Sequence, residues 1–174
     1  YILPEHVPAN EFLNLEGDKL STSRNHAVWL HEYLEEFPGK QDELRYVLTS
    51  IMPETSDSEF TWKDYQARVN NEFVAILGNF VNRVMILMHK YFEGKTLGEQ
   101  DLKDDAVAAQ IKTAYADIDK YLTDFKFRNA TSALMDVARL GNKYLTEKEP
   151  WKTFKESPEE TREVLQNCLH IIAH

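Results

Sequence analysis

The chain has 174 residues, 43% hydrophobic and 28% charged, which fits one ordinary globular domain or one small domain plus part of another. Its single cysteine, Cys168, excludes a disulfide framework and a cysteine-rich zinc site, and a net charge of −9 excludes a protein that coats nucleic acid non-specifically. No run approaches the roughly 20 apolar residues of a membrane span, so an integral membrane protein is not expected.

In chain order, the start is Tyr1-Ile2-Leu3-Pro4, with no initiator Met and no signal-peptide pattern. Residues 1–24 are irregular, except that Phe12, Leu13 and Leu15 suit a short strand. Leu30, Tyr33, Leu34 and Phe37 recur at helical spacing, and Pro38-Gly39 stops the run. Leu44, Val47, Leu48 and Ile51 mark a second short helix that ends at Met52-Pro53. Glu59-Phe60-Thr61-Trp62 suits a strand that pairs with the first one. Thr61 with Asp64 then caps the strongest helix, whose stripe is Phe73, Leu77, Phe80, Val84, Leu87/Met88 and Tyr91, with Gly94 as its stop.

Val107, Ile111, Ala114, Ile118, Tyr121 and Phe125 step by four and three, as a helix-packing seam does. Ala130, Leu134, Val137, Leu140 and Tyr144 mark another helix. Ser157-Pro158-Glu159-Glu160 is a strong helix start, and Val164, Leu165, Leu169 and Ile172 give that helix an apolar face. It runs to His174 without a cap. Both ends read as cuts in a longer protein, and the lone cysteine and missing signal predict a cytoplasmic location. The fold class expected is mainly α, an antiparallel helical bundle over 61–174 preceded by a small mixed connector over 25–60.

Three places suit chemistry. Gly17-Asp18-Lys19-Leu20-Ser21-Thr22-Ser23-Arg24 sets small hydroxyl residues between basic ones. Such a loop, leading into a helix near Asn25, donates hydrogen bonds to a polyphosphate, or is simply an exposed capping loop. Asn79 and Arg83, four apart on the long helix, share a face that carries no Asp or Glu from Phe73 through Lys90, and such a face suits base edges and phosphates or is ordinary solvated surface. Pro150-Trp151 lies in a stretch rich in lysine, where a ring stacks on an unpaired base or plugs the core.

The remaining residues offer less. His170 and His174 are four apart but make a poor metal site, and the histidines read as surface or interface residues, so no metal is expected. Cys168 reads as a buried hydrophobe, and the adjacent acid pairs read as helix surface. No nucleophile triad order, G-x-S-x-G or Walker loop is present.

Taken in this order, the three places resemble the class I methionyl-tRNA synthetases. Lys19-Leu20-Ser21-Thr22-Ser23 is similar to that family's K-M-S-K-S loop, and Val7 through Leu13 is similar to the approach to it. Gly78-Asn79-Phe80-Val81-Asn82-Arg83 resembles the family's N-x-x-x-R on the first long helix of the anticodon-binding bundle. Asn142-Lys143-Tyr144 with Glu149-Pro150-Trp151 resembles its N-[RK]-Y…P-W element. The Asn/Arg and Pro-Trp elements favour the methionine enzyme over the leucine, valine or cysteine enzymes of the same branch.

The resemblance implies that residues 1–24 are the tail of a catalytic domain and 25–60 a stem-contact-like connector. Lys19, Ser21, Thr22 and Ser23 would then close over ATP with its Mg in a parent that ligates methionine to its tRNA. Trp151 would stack on a base of a C-A-U anticodon, Asn79 and Arg83 would bond base edges, Pro150 would shape the pocket and Asn142 would contribute. Thr22 replaces the second lysine of the loop, and Arg24 partly restores its charge. The nucleotide-binding fold with its H-I-G-H motif would precede Tyr1, so this chain is expected to bind tRNA but not to catalyse aminoacylation alone. Its expected partners are that tRNA and the missing catalytic domain, with no cofactor of its own and neither DNA nor membrane. A non-enzymatic interaction domain that binds protein through exposed apolar positions such as Ile86 is the alternative of a different class.

Overall fold

The computed structural model describes residues 2–98 and 103–173, apart from the side chain of Asp105. Its elements run β1 (Leu13–Leu15), β2 (Asp18–Lys19), α1 (Leu30–Glu36), α2 (Gln41–Ser50) and β3 (Ser58–Phe60). Then follow α3 (Trp62–Arg68), a π-helical segment (Val69–Gly78), α4 (Asn79–Phe92), α5 (Asp105–Thr123), α6 (Phe127–Lys148), α7 (Pro150–Thr153) and α8 (Pro158–Ala173). The chain is mainly α, as its apolar periodicity predicts.

The segment before the bundle is built around a three-stranded sheet of order β2-β1-β3, so two strands from residues 1–24 share a sheet with one from the expected connector over 25–60. β1 pairs antiparallel with β2 and parallel with β3, with Leu15 opposite Phe60. The two short strands read from Leu13/Leu15 and Phe60 do pair. Leu15, Tyr33, Leu44, Val47, Ile51 and Phe60 form its core, with Leu48 packed against it. In α1 only Tyr33 is buried, whereas Leu30 and Leu34 are 60% and 43% exposed. The expected apolar stripe therefore reduces to Tyr33 and the half-buried Phe37, whose ring centre lies 5.1 Å from that of Tyr33 and which packs against the same core.

Thr61 caps the next helix as expected, its Oγ1 accepting from the Asp64 N–H at 3.0 Å. Glu16, in the turn between β1 and β2, accepts from the Trp62 N–H at 2.7 Å and ties the sheet to the helix start. From Trp62 to Phe92 the helix is continuous over 31 residues. On length and composition alone it is apolar enough to cross a membrane, a test that the core helix of a folded domain also passes. Phe80, Val84, Met88 and Phe92 lie in the bundle core, and Arg83 and Asn82 interrupt the apolar surface. The π segment winds wider than 3.6 residues per turn. Phe73 and Leu77 therefore leave the predicted stripe and are only half-buried.

The bundle core draws on α4, α5, α6 and α8. α5 and α6 pack along each other. Phe125 lies past the end of α5, at φ +58°, and so leaves the predicted seam. On α6, Met135 is buried and Leu134 is 51% exposed, because α2 packs across this part of α6 and turns its covered face towards Met135. Gly141 brings α6 against α4. A Cβ there would stand 2.3 Å from Cζ of Phe80, whose ring is 1% exposed. The Ser157 cap forms, Oγ accepting from the Glu160 N–H at 3.4 Å. Cys168 is buried, and burial pushes its thiol up to about 12.

Candidate nucleic-acid interface

The loop 17–26 is closed on itself. Ser21 and His26 exchange backbone hydrogen bonds at 2.9 Å each way, and His26 Nε2 donates to the Leu15 carbonyl at 2.8 Å. Asn25 has φ +53°, and α1 begins only at Leu30. The loop therefore does not run into a helix near Asn25, and the expected helix-terminus contribution to phosphate binding is absent. Ser21 Oγ lies 3.2 Å from Ser23 Oγ and accepts from the Arg24 N–H at 3.4 Å. Lys19, Thr22 and Ser23 are exposed, and the Lys19 ammonium sits 5.5 Å from the centre of the Phe12 ring. Arg24 is ion-paired with Asp18 at 3.0 Å and donates to the Lys19 carbonyl at 3.3 Å. The Lys19 N–H and the Arg24 guanidinium hold the Asp18 carboxyl below its usual range. Arg24 is thus committed to Asp18, and the charge missing at Thr22 is not simply replaced.

The second cluster joins three elements. Arg83, on α4, donates from Nη1 to Asn142 Oδ1 at 3.4 Å and from Nη2 to Thr146 Oγ1 at 3.5 Å, both on α6. Its guanidinium carbon lies 5.8 Å from the centre of the Trp151 ring, on α7. The structure thus brings Arg83, Asn142 and Trp151 together and adds Thr146, a residue with no signal in the sequence. Asn142 Nδ2 donates to two carbonyls, Ile76 of the π segment at 2.9 Å and Ala138 at 3.2 Å. Its amide hydrogens are both used, so Asn142 holds Arg83 and the π segment in place.

Asn79 is exposed one turn before Arg83, at the rim of an open groove of about 740 Å³ lined also by Phe73, Val74, Leu77 and Asn82. Pro150 is fully buried and Trp151 half-buried. Glu149, between α6 and α7, takes left-handed angles of φ +42° and ψ 55°, and this turns the chain so that the ring meets Arg83. The ring is neither a core plug nor fully exposed. The Arg83 cation stands against the ring, which remains partly open to solvent.

A polar cleft of about 590 Å³ lies elsewhere, between α2, α3 and the start of α6. Three of the cations that line it are ion-paired within the chain, Arg68 with Asp64, Lys126 with Asp124 and Arg139 with Asp136, and Arg128 lines it as well. Glu54 accepts from the Arg128 N–H at 2.8 Å. Among the described residues no group of three or more His, Cys, Asp or Glu could hold a metal ion, and His174 lies outside them.

Residues 1–85 match the family model described as "tRNA synthetases class I (M)", which sets the class of protein. Residues 93–174 match "Anticodon binding domain of methionyl tRNA ligase". With the two models spanning nearly the whole sequence, the chain belongs to the methionyl-tRNA synthetase family. Relatives named methionine–tRNA ligase agree. That of Bacteroides fragilis (strain YCH46) is 57% identical over 100% of this chain and 26% of its own length. That of Flavobacterium johnsoniae is 58% identical over 99% and 25%. The fold matches Mycobacterium tuberculosis methionyl-tRNA synthetase in complex with methionyl-adenylate, with TM-score 0.72 and 23% identity over 94% of this chain and 32% of that one. The chain thus spans about a quarter of the length of these curated relatives.

Proposed function

We propose that this chain is the anticodon-reading part of a cytoplasmic enzyme that ligates methionine to its tRNA using ATP. The observation that carries the reading is the junction of α4, α6 and α7, where the Arg83 fork stands against Asn142 and Thr146 and below the Trp151 ring. Unpaired loop bases are recognised by stacking on aromatic rings and by hydrogen bonds to their edges. Trp151 supplies the ring. Arg83 and Asn79 supply the donors that meet the edges of C-A-U bases. Pro150 fixes the corner from below, and Asn142 acts by aiming Arg83. Lys19, Ser21, Thr22 and Ser23 serve ATP and its Mg only alongside the rest of the enzyme, Lys19 with its charge and the hydroxyls with their hydrogen bonds to phosphate.

The test is binding at low salt of the chain to the anticodon stem-loop of a methionine tRNA, beside the same loop with its anticodon changed. The expected result is a preference for C-A-U that Trp151→Ala abolishes, with no methionine-dependent ATP–pyrophosphate exchange by the chain alone. Equal binding to both loops contradicts the reading. The exposed apolar positions Val74, Met85 and Ile86 on the long helix favour a second reading, docking of a protein partner. Amide shifts at these positions on adding a protein partner, with none at Arg83 and Trp151 on adding RNA, would select it.

A further inference from the structure

Trp151 sits on α7, a helix of four residues, Pro150–Thr153. A single turn does not hold its own geometry, so what flanks the ring must fix it. Before it, Pro150 is fully buried. After it, Phe154 stacks on Tyr91 of α4, ring centres 4.1 Å apart and planes at 14°, and meets the edge of Phe92 at 5.8 Å and 81°. Beside it, Thr153 Oγ1 lies 2.9 Å from Oγ1 of Thr161, a fully buried residue of α8.

Tyr91 lies on the same helix as Arg83, eight residues on. Asn79, Arg83, Leu87 and Tyr91 follow one another in steps of four, the row that forms a ridge along an α-helix. Eight residues span about 12 Å. One rigid helix thus carries the guanidinium against Trp151 and, two turns away, the ring that anchors Phe154. The position of the Trp151 ring relative to Arg83 and Asn79 is measured out along α4.

We propose that Tyr91 and Phe154 are positioning residues for Trp151, their stacked rings setting where the tryptophan meets an anticodon base. The proposal rests on the anticodon-reading function above. Neither residue touches the RNA. Their effect reaches it through the backbone of 151–154, and what they govern is discrimination between anticodons, since a displaced ring stacks on any base equally poorly.

The experiment measures binding of the C-A-U stem-loop and of a changed-anticodon stem-loop to the wild-type chain and to Tyr91→Leu, Tyr91→Phe, Phe154→Leu and Trp151→Ala. Thermal midpoints are recorded beside them. The leucine variants keep apolar volume but lose the stack, and Tyr91→Phe keeps the stack. The expected result is a preference about tenfold lower in both leucine variants, from the worth of one base–aromatic stack. Preference in Tyr91→Phe stays within about twofold, and midpoints change by only a few degrees. Wild-type preference in both leucine variants, with preference lost in Trp151→Ala, overturns the positioning role and leaves the reader intact. Equal weakening towards both loops with early melting marks a merely structural pair and overturns it too. Preference retained in Trp151→Ala overturns the reader itself and the proposal with it.

Discussion

Arg24 finds its partner Asp18 six residues away, whereas Arg83 finds Asn142 across 59 residues and Thr146 across 63. The signature-like loop closes through contacts within the span 15–26, so it needs only its hairpin to form. The proposed reader needs α4, α6 and α7 to be packed before any of its side chains meet. One candidate region is thus written in a few adjacent residues and the other in the packing of a bundle. The first should tolerate changes in the second, while the second should fail with any change that moves α6 against α4.

The largest expected effect follows from that dependence. Gly141→Ala forces a Cβ into the Phe80 ring, and with that ring buried the strain costs about 3 kcal/mol. The thermal midpoint should fall by about 10 °C and anticodon preference should fall with it. A midpoint within a degree of wild type would show that α6 can move without harm. Next, Arg83→Lys keeps the charge but loses the fork to Asn142 and Thr146. Preference for C-A-U should drop about tenfold with little change in melting, and an unchanged binding ratio would mean that charge alone acts.

Smaller effects separate the regions. Thr61→Ala removes the cap on the Asp64 N–H and should cost about 1 kcal/mol in a denaturant melt, without altering preference. Cys168 should resist alkylation near pH 8 in the native chain and react once it is unfolded, since burial raises its thiol from 9.0 to about 12. The native state holds that proton more tightly than the unfolded chain, so its contribution to stability is lost as pH rises from 9.0 towards 12. Rapid native alkylation would show that α8 opens. Smallest of all, Thr22→Lys should leave both melting and anticodon binding unchanged within about 0.5 kcal/mol. Altered stem-loop binding in this variant would break the separation of the two regions.

Much of the fold was legible because it is periodic. The stripe Phe80, Val84 and Met88, the caps at Thr61 and Ser157, and the pairing of the strands around Leu13–Leu15 and Ser58–Phe60 all follow from local pattern. The errors have local causes as well. The π turns shifted Phe73 and Leu77, the packing of α2 chose Met135 over Leu134, and the left-handed Asn25 delayed the helix expected there until Leu30. At the candidate site, the four-residue spacing singled out Asn79 and Arg83 and the lysine-rich Pro-Trp stretch singled out Trp151, whereas Asn142 came only from the family resemblance, because residues this far apart in the chain leave no spacing rule that joins them. Thr146 was missed for the same reason. Only packing reveals that Asn142 spends its amide hydrogens on Ile76 and Ala138.

The central claim is that side chains from α4 and α6 act as one unit, and a double-mutant cycle tests it most directly. Preference for the C-A-U stem-loop would be measured in Arg83→Gln, in Asn142→Ala and in the variant carrying both. If Asn142 works by aiming Arg83, the double variant should be no worse than Arg83→Gln alone, a coupling of about 1 kcal/mol or more. Losses that simply add would mean that the two residues contribute separately, and would contradict the account.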